Sequence, residues 1–349
     1  MSNILDAYQG KKVLITGHTG FKGSWLSLIL QLAGAEVIGY ALEPEQDSLF
    51  RLADIERDMT SVIGDVRDLE KLKSVFEKYE PEYVFHLAAQ PIVREGYKYP
   101  VETYSTNVMG TVNVLECVRQ SKSVKSVLNV TTDKVYLNKE TEQGYVETDD
   151  LDGFDPYSNS KSCSELVTHA YDKSFLQELG IRVSTARAGN VIGGGDFEKD
   201  RIIPDCVRAV LENKPIVVRN PKSVRPFQHV LEPLFVYLQI AQEQVENAGL
   251  QGAYNVGPEE KDCWTTARLV DCFCEKWGEG ASWLNQNQGG PHEASLLKLN
   301  CSKLRDVFHW RPKWDIDKAM DKIVEWTKVY RDGGDVRECM IHQIMEYLR

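Results

Sequence analysis

Between residues 17 and 23 the chain reads Gly17-His18-Thr19-Gly20-Phe21-Lys22-Gly23, and what flanks this segment leaves few folds open. The run Lys11-Lys12-Val13-Leu14-Ile15-Thr16 before it is short, apolar and β-branched, while Trp25, Leu26, Leu28, Ile29 and Leu32 after it recur at helical spacing. A strand that turns through glycine straight into a helix exposes backbone N–H groups with no side chains in front of them. The helix N-terminus adds partial positive charge, so a pyrophosphate is the natural occupant. Gly34-Ala35 closes the helix and Glu36-Val37-Ile38-Gly39-Tyr40 supplies a second strand, which completes a right-handed βαβ unit.

The alternation continues. Strands are predicted over 61–64, 83–87, 124–131 and 181–188, with helices over 69–79, 101–120 and 157–179. This pattern predicts an α/β fold, a doubly wound Rossmann-type parallel sheet with a smaller mixed C-terminal substrate lobe. The dinucleotide-binding domain is expected over 1–188, with 229–257 returning to it, and the second lobe over 189–349. Helices are predicted there at 203–212, 231–245, 265–277, 302–308 and 317–330. Trp264, Trp277, Trp283, Trp310, Trp314 and Trp326 crowd that half and are read mostly as anchors of its core, leaving only Trp25 in the first.

A formal net charge of −11 disfavours polynucleotides and anionic membranes as partners. No apolar run suits a signal peptide or a membrane span, so the expected address is cytoplasmic. The 8 cysteines are scattered without metal-ligand spacing, and neither a metal nor a disulfide framework is expected.

Tyr157-Ser158-Asn159-Ser160-Lys161 places a phenol and an ammonium group four residues apart at a predicted helix start, on one face and one turn apart. Tyrosine is a poor base at neutral pH, and a neighbouring ammonium favours its phenolate. Such a pair can take a hydroxyl proton while hydride leaves the same carbon. Tyr-x-x-x-Lys alone is common in helices; joined to the upstream glycine turn it becomes specific. Just before it, Val130-Thr131-Thr132-Asp133-Lys134-Val135-Tyr136 puts two adjacent ionisable groups at the carboxyl end of a strand, where open α/β sheets bind ligands. Taken alone, that segment would read as an exposed charged loop.

The spacing Gly-x-x-Gly-x-x-Gly together with the Tyr157/Lys161 pair resembles the extended short-chain dehydrogenases/reductases, over most of the chain. Thr132-Asp133-Lys134 resembles the segment that nucleotide-sugar 4,6-dehydratases carry as Thr-Asp-Glu or a near variant. Lysine at the third position, and the segment Val224-Arg225-Pro226-Phe227-Gln228-His229-Val230-Leu231-Glu232-Pro233, resemble the CDP-glucose branch of that family. The resemblance implies NAD as cofactor, bound by residues 17 to 23, by Asp65 and Val66 on the adenine side, by Leu87, Ala88 and Ala89 on the nicotinamide side, and by Tyr157 and Lys161. His18 and Lys22 depart from the small and apolar residues usual in the turn. They either alter dinucleotide binding beside the pyrophosphate or face solvent. Ala41 stands where an acid normally holds the ribose, with Glu43 two residues on, and this weakens a choice of NAD over NADP. Asp65 has a second reading, as a cap for the helix that follows.

The same resemblance implies CDP-glucose as substrate and a catalytic set of Thr132, Asp133, Lys134, Tyr157 and Lys161. Tyr157 would remove the C4 hydroxyl proton as hydride passes to NAD, Lys134 would remove the C5 proton, and Asp133 would protonate the departing C6 hydroxyl. Gln90 and Asn190 are substrate-binding candidates. Arg201, Arg219 and Arg225 are candidates for a guanidinium fork around the diphosphate, or else ordinary surface arginines. His229 and His292 either reach the nucleotide sugar or are structural. The family pattern implies a homodimer or a dimer of dimers, built on the helix over 101–120 and the active-site helix, and a product that feeds deoxysugars of surface polysaccharides such as O-antigen. A dTDP- or GDP-sugar dehydratase, a nucleotide-sugar 4-epimerase and a non-catalytic NAD(P)-binding regulator are the competing expectations.

Overall fold

The computed structural model describes residues 4–286 and 296–349. Six strands appear up to residue 188: β1 (Lys12–Thr16), β2 (Glu36–Ala41), β3 (Thr60–Ile63), β4 (Tyr83–His86), β5 (Ser126–Val130) and β6 (Arg182–Ala188). The second half adds β7 (Asn190–Ile192), β8 (Ile216–Val218), β9 (Val224–His229), β10 (Ala253–Val256), β11 (Cys263–Thr265) and β12 (Trp283–Asn285). Seven of these form one sheet in the order β10-β6-β5-β4-β1-β2-β3, and every pairing in it is parallel. The order reverses between β1 and β4, which opens a crevice at their carboxyl ends, where the glycine turn lies.

A parallel sheet covered on both faces needs strands that are apolar on both sides. The central strands meet this: Val13, Leu14 and Ile15 of β1 and Val84 and Phe85 of β4 are all buried. One face packs Leu72, Phe76, Val114 and Val118 from the helices Leu69–Tyr79 and Gly110–Gln120. The other packs Trp25, Leu26, Leu234 and Leu238 from the helices Phe21–Leu32 and Leu231–Glu246. The chain therefore returns to the sheet after β9, through that second helix and edge strand β10.

A separate core lies under the mixed sheet β11-β9-β7 and the pair β12-β8, where Ile203, Phe227, Phe273 and Met320 meet. Trp264 and Trp277 anchor it, as expected, with Trp283 packed at its edge. Trp314 and Trp326 do not. They join Trp25 in the large core, where Trp314 packs on His229 and Tyr347 and the helix Val336–Leu348 lies against the helix Phe21–Leu32.

Candidate active site

The active-site helix, Pro156–Tyr171, starts where the sequence dictates. Asp155 caps it by accepting from Ser158 N, and Pro156 occupies the first turn, where its missing N–H costs nothing. Tyr157 and Lys161 both lie on the buried side. Lys161 Nζ donates to the carbonyl of Val130 at 3.0 Å, fixing the helix against the end of β5. Burial lowers the Lys161 ammonium to about 8, opposed by the Glu165 carboxylate one turn further on.

Burial also raises the Tyr157 phenol above its ordinary value. Lys134, a hydrogen bond with Thr132 and Arg201 pull it back, and Asp133 pushes it further up. Lys134 and Arg201 are thus cations that oppose its burial.

Thr132, Asp133 and Lys134 follow β5 directly, with Asp133–Val135 forming a single 3-10 turn. Thr132 Oγ1 donates to Asp133 Oδ1 at 3.0 Å, and Lys134 Nζ lies 3.2 Å from the same oxygen. Asp133 is wholly buried, and its Oδ2 has no hydrogen-bond partner among the described residues. An unpartnered carboxylate oxygen in an enclosed site is costly unless a ligand completes it. The exposed-loop reading of this segment therefore does not hold.

The glycine turn fits a dinucleotide. A side chain on Gly23 would meet Gly17 O at 2.1 Å, and one on Gly17, whose φ is +78°, would meet Ala88 N at 2.7 Å, so these two glycines keep the turn tight against β4. Gly20 has open space in front of it, its nearest neighbour being Gly17 O at 3.5 Å. No side chain caps the helix Phe21–Leu32, which leaves its first N–H groups for an anion. Thr19 turns its hydroxyl to Leu42 O.

His18 neither lines that open space nor faces solvent. Its ring is fully enclosed under Gly39, edge-on to Phe50, with Nε2 2.9 Å from Ser61 Oγ, so only its backbone faces the cradle. Lys22 turns into the cleft instead. Burial and the nearby Arg201 and Lys161 bring its ammonium down to about 7, against Asp133 and Asp196.

Asp65 is gripped by Arg67, with Nη2 at 2.5 Å from Oδ2, and Asp68 is the residue that caps the following helix. Val66 is buried against Gly110. Leu87 N and Ala88 N donate to the backbone and side-chain oxygens of Thr16, which ties the end of β4 to the start of the turn. Gln90 spends its amide on Ile92 N in its own loop and on Thr103 of the helix Pro100–Tyr104.

Across the cleft, Asn190 opens β7, and Arg201 stands at the start of the helix Ile202–Leu211 with Nη1 3.1 Å from Asp196. Arg219 holds Asp200 at 2.6 Å, and Arg94 approaches the same carboxylate at 3.6 Å from the other wall. Arg225 lies on β9 with Nη1 on Val224 O. His229 is a structural histidine. Fully buried between Trp25 and Trp314, it is kept neutral by burial, which lowers it to about 3, and it cannot reach a ligand in the cleft. His292 lies outside the described residues.

Sequence reasoning missed three groups behind the site. Glu165 and Arg187 form an ion pair at 2.9 Å with both side chains almost fully enclosed. Asn107 sits in a π-type turn, Ser105–Met109, and bridges Gln90 O and Ser160 Oγ at 3.0 and 2.8 Å. The one available signal was that Glu165 follows Lys161 by four residues on the same helix.

Sheet order, glycine turn and Tyr/Lys helix together define an extended short-chain dehydrogenase/reductase of the nucleotide-sugar-modifying kind. Residues 14–323 match the family model described as GDP-mannose 4,6 dehydratase, and the chain belongs to that family. It is 48% identical to a CDP-glucose 4,6-dehydratase of Salmonella typhimurium over 98% of this chain and 97% of that one. A probable dTDP-glucose 4,6-dehydratase of Sinorhizobium fredii is 26% identical, with 93% of each chain covered. Among solved structures, a UDP-glucose 4-epimerase of Thermotoga maritima with UDP-glucose superposes with a TM-score of 0.80 at 21% identity, over 91% of this chain and 99% of that one. A dTDP-glucose 4,6-dehydratase of Bacillus anthracis in complex with NAD gives 0.76 at 23% identity, over 93% and 99%.

Proposed function

We propose that this chain is an NAD-dependent lyase that converts CDP-D-glucose to CDP-4-dehydro-6-deoxy-D-glucose and water. The observation that carries this reading is the Asp133/Lys134 pair, 3.2 Å apart and set beside Tyr157 and Thr132. A 4-epimerase is finished once a hydroxyl proton and a hydride have been moved, and has no use for a second acid and base at the strand end. Near-full-length identity of 48% to a CDP-glucose 4,6-dehydratase supports the same choice of sugar nucleotide.

In this reading the 17–23 turn, with Asp65, Val66, Leu87, Ala88 and Ala89, holds NAD, which when bound accepts hydride from sugar C4 and returns it to C6. Thr132 donates a hydrogen bond to the C4 oxygen, and Tyr157 removes its proton as phenolate, stabilised by Lys134 and Arg201. The 4-ketone acidifies the C5 hydrogen; Lys134, having passed its own proton to Asp133 across their 3.2 Å contact, abstracts it as the neutral amine. Asp133, protonated, gives its proton to the C6 hydroxyl as water leaves. Arg201, Arg219 and Arg225, with Asn190, receive the nucleotide diphosphate.

A homodimer is also part of the reading. Val101, Met109 and Leu166 are exposed on the helical segments that would form it, and Val101 is 82% exposed. Among the described residues no helix is long and apolar enough to cross a membrane. A cytoplasmic address fits eight free cysteines.

The test is incubation with CDP-glucose and NAD, following the absorbance of 4-keto products in alkali and deuterium uptake at C5 from heavy water. Turnover of CDP-glucose with one deuterium at C5 is expected. Turnover of dTDP-glucose but not CDP-glucose overturns the substrate, and a 4-epimer without deuterium overturns the reaction.

A further inference from the structure

The turn that carries Thr132, Asp133 and Lys134 is bracketed by Thr131 and Tyr136, and both of these end at one buried ion pair. Thr131 Oγ1 donates to Glu165 Oε1 at 2.5 Å. Arg187 Nη2 donates to Glu165 Oε2 at 2.9 Å, while Arg187 Nη1 donates to the hydroxyl of Tyr136, also at 2.9 Å, and to Glu147 O at 3.0 Å. Tyr136 is held further by Asn255 Oδ1 at 2.7 Å, by the Arg187 guanidinium over its ring at 5.1 Å and by stacking on Tyr145. The remaining lone pair of Glu165 Oε2 takes Thr185 Oγ1 at 2.8 Å, on the sheet side and away from the turn.

We propose that Glu165 is a positioning residue for the acid–base turn: one carboxylate fixes its first flank through Thr131 and its second through Arg187 and Tyr136, so that Asp133 and Lys134 are presented to the sugar in one register. Burying an ion pair costs solvation and adds little stability on balance, so its return here is geometric specificity. Glu165 also lies one helical turn from Lys161, whose ammonium it faces together with Lys22 and His86. The same side chain thereby ties the oxidising helix to the eliminating turn. The proposal deepens the dehydratase reading and rests on it for the roles of Asp133 and Lys134.

Thr131 and Thr185 supply the test, because both donate to Glu165 but only Thr131 adjoins the turn. In the full-length protein, Thr131→Val is expected to lower kcat about 10²-fold with KM little changed, the usual consequence of a small misplacement of acting groups. Thr131→Ser, which keeps the hydroxyl, restores most of it, and Thr185→Val stays within about twofold of wild type. Hydrogen exchange of the amides of residues 132–136, measured without substrate, gives a readout independent of turnover. It should speed up in Thr131→Val and in Glu165→Gln but not in Thr185→Val. Should the wild type fail to turn over CDP-glucose, the substrate reading falls while this exchange pattern still decides whether Glu165 holds the turn. Equal effects of the two valine variants, or unchanged exchange in Thr131→Val, overturn the proposal.

Discussion

Lys134 Nζ and Thr132 Oγ1 converge on the same oxygen of Asp133, at 3.2 and 3.0 Å, while the second oxygen of that carboxylate is left buried and, among the described residues, unpartnered. Ammonium, hydroxyl and acid are thus held within one short turn, and the two chemical steps must be separable by mutation. Lys134→Ala removes the base for C5 and leaves Tyr157 and Lys161 in place. It is expected to slow oxidation at C4, since one of the cations that favour the Tyr157 phenolate is lost, and to stop elimination altogether, so that reduced nicotinamide accumulates in a single turnover and its near-ultraviolet absorbance persists. Formation of the 6-deoxy product at the wild-type rate would show that another group is the base.

Tyr157→Phe deletes one hydroxyl from a residue that the helix and sheet already hold, so folding should be little affected. Product formation is expected to drop about 10²- to 10⁴-fold, the range for loss of a positioned general base. Unlike the lysine variant, it should show no reduced nicotinamide at all.

Two glycines of the turn, Gly23 and Gly20, make different predictions. Gly23→Ala sets a methyl group 2.1 Å from Gly17 O and should cost about 1–3 kcal/mol of stability, as overpacking does. Gly20→Ala meets only ordinary contact at 3.5 Å, so thermal stability should hold while dinucleotide affinity falls at least about tenfold, since the methyl group enters the space left for the pyrophosphate. Isothermal titration with NAD, paired with a melting curve, distinguishes the two.

Glu232 supplies a pH-dependent term. Buried, it accepts from the N–H groups of Lys313 and Trp314 and from the Tyr347 hydroxyl, and burial raises its carboxyl from 4.5 to about 7. A carboxyl raised in the folded state binds its proton more tightly there than in the unfolded chain. Its contribution is therefore fully present below 4.5 and is lost as pH rises through about 7, with a span of up to about 3 kcal/mol. Glu232→Gln should remove that slope. The difference in melting temperature between wild type and variant is expected to favour the variant increasingly from pH 5 to pH 8, and a constant difference would show that Glu232 does not titrate there.

Much of this molecule can be read locally. The helix predicted over 69–79 is observed as Leu69–Tyr79, and that over 302–308 as Ser302–Phe308, because each buries a single clear stripe. The helix Val336–Leu348 escaped notice since Arg337 and Gln343 are buried in it beside Val336, Met340 and Ile344, which hides the period. The predicted helix over 101–120 is interrupted by the π-type turn at Asn107, for which no residue pattern gives warning. In the site, Thr132, Asp133, Lys134, Tyr157 and Lys161 were visible because each group is defined by neighbours within a few residues. The enclosure of His18 and His229 depends on Phe50, Ser61 and Trp314, which are remote in sequence, and so does the linking of Glu165 to Arg187 and Tyr136.

Arg337, in that last helix, donates to the carbonyls of Ala53 and Asp54 and to the side chains of Gln31 and Asp58, spanning some 280 to 306 residues of sequence. With Trp326 packed on Gly194 and Trp25 bonded to Gly194 O, the helix behind the glycine turn is walled in by residues synthesised long after it. The nascent dinucleotide half therefore has its βαβ ladder long before it has its outer wall, and contacts of such range make folding slow. Maturation of the cofactor cradle therefore waits on residues some 300 positions further along the chain.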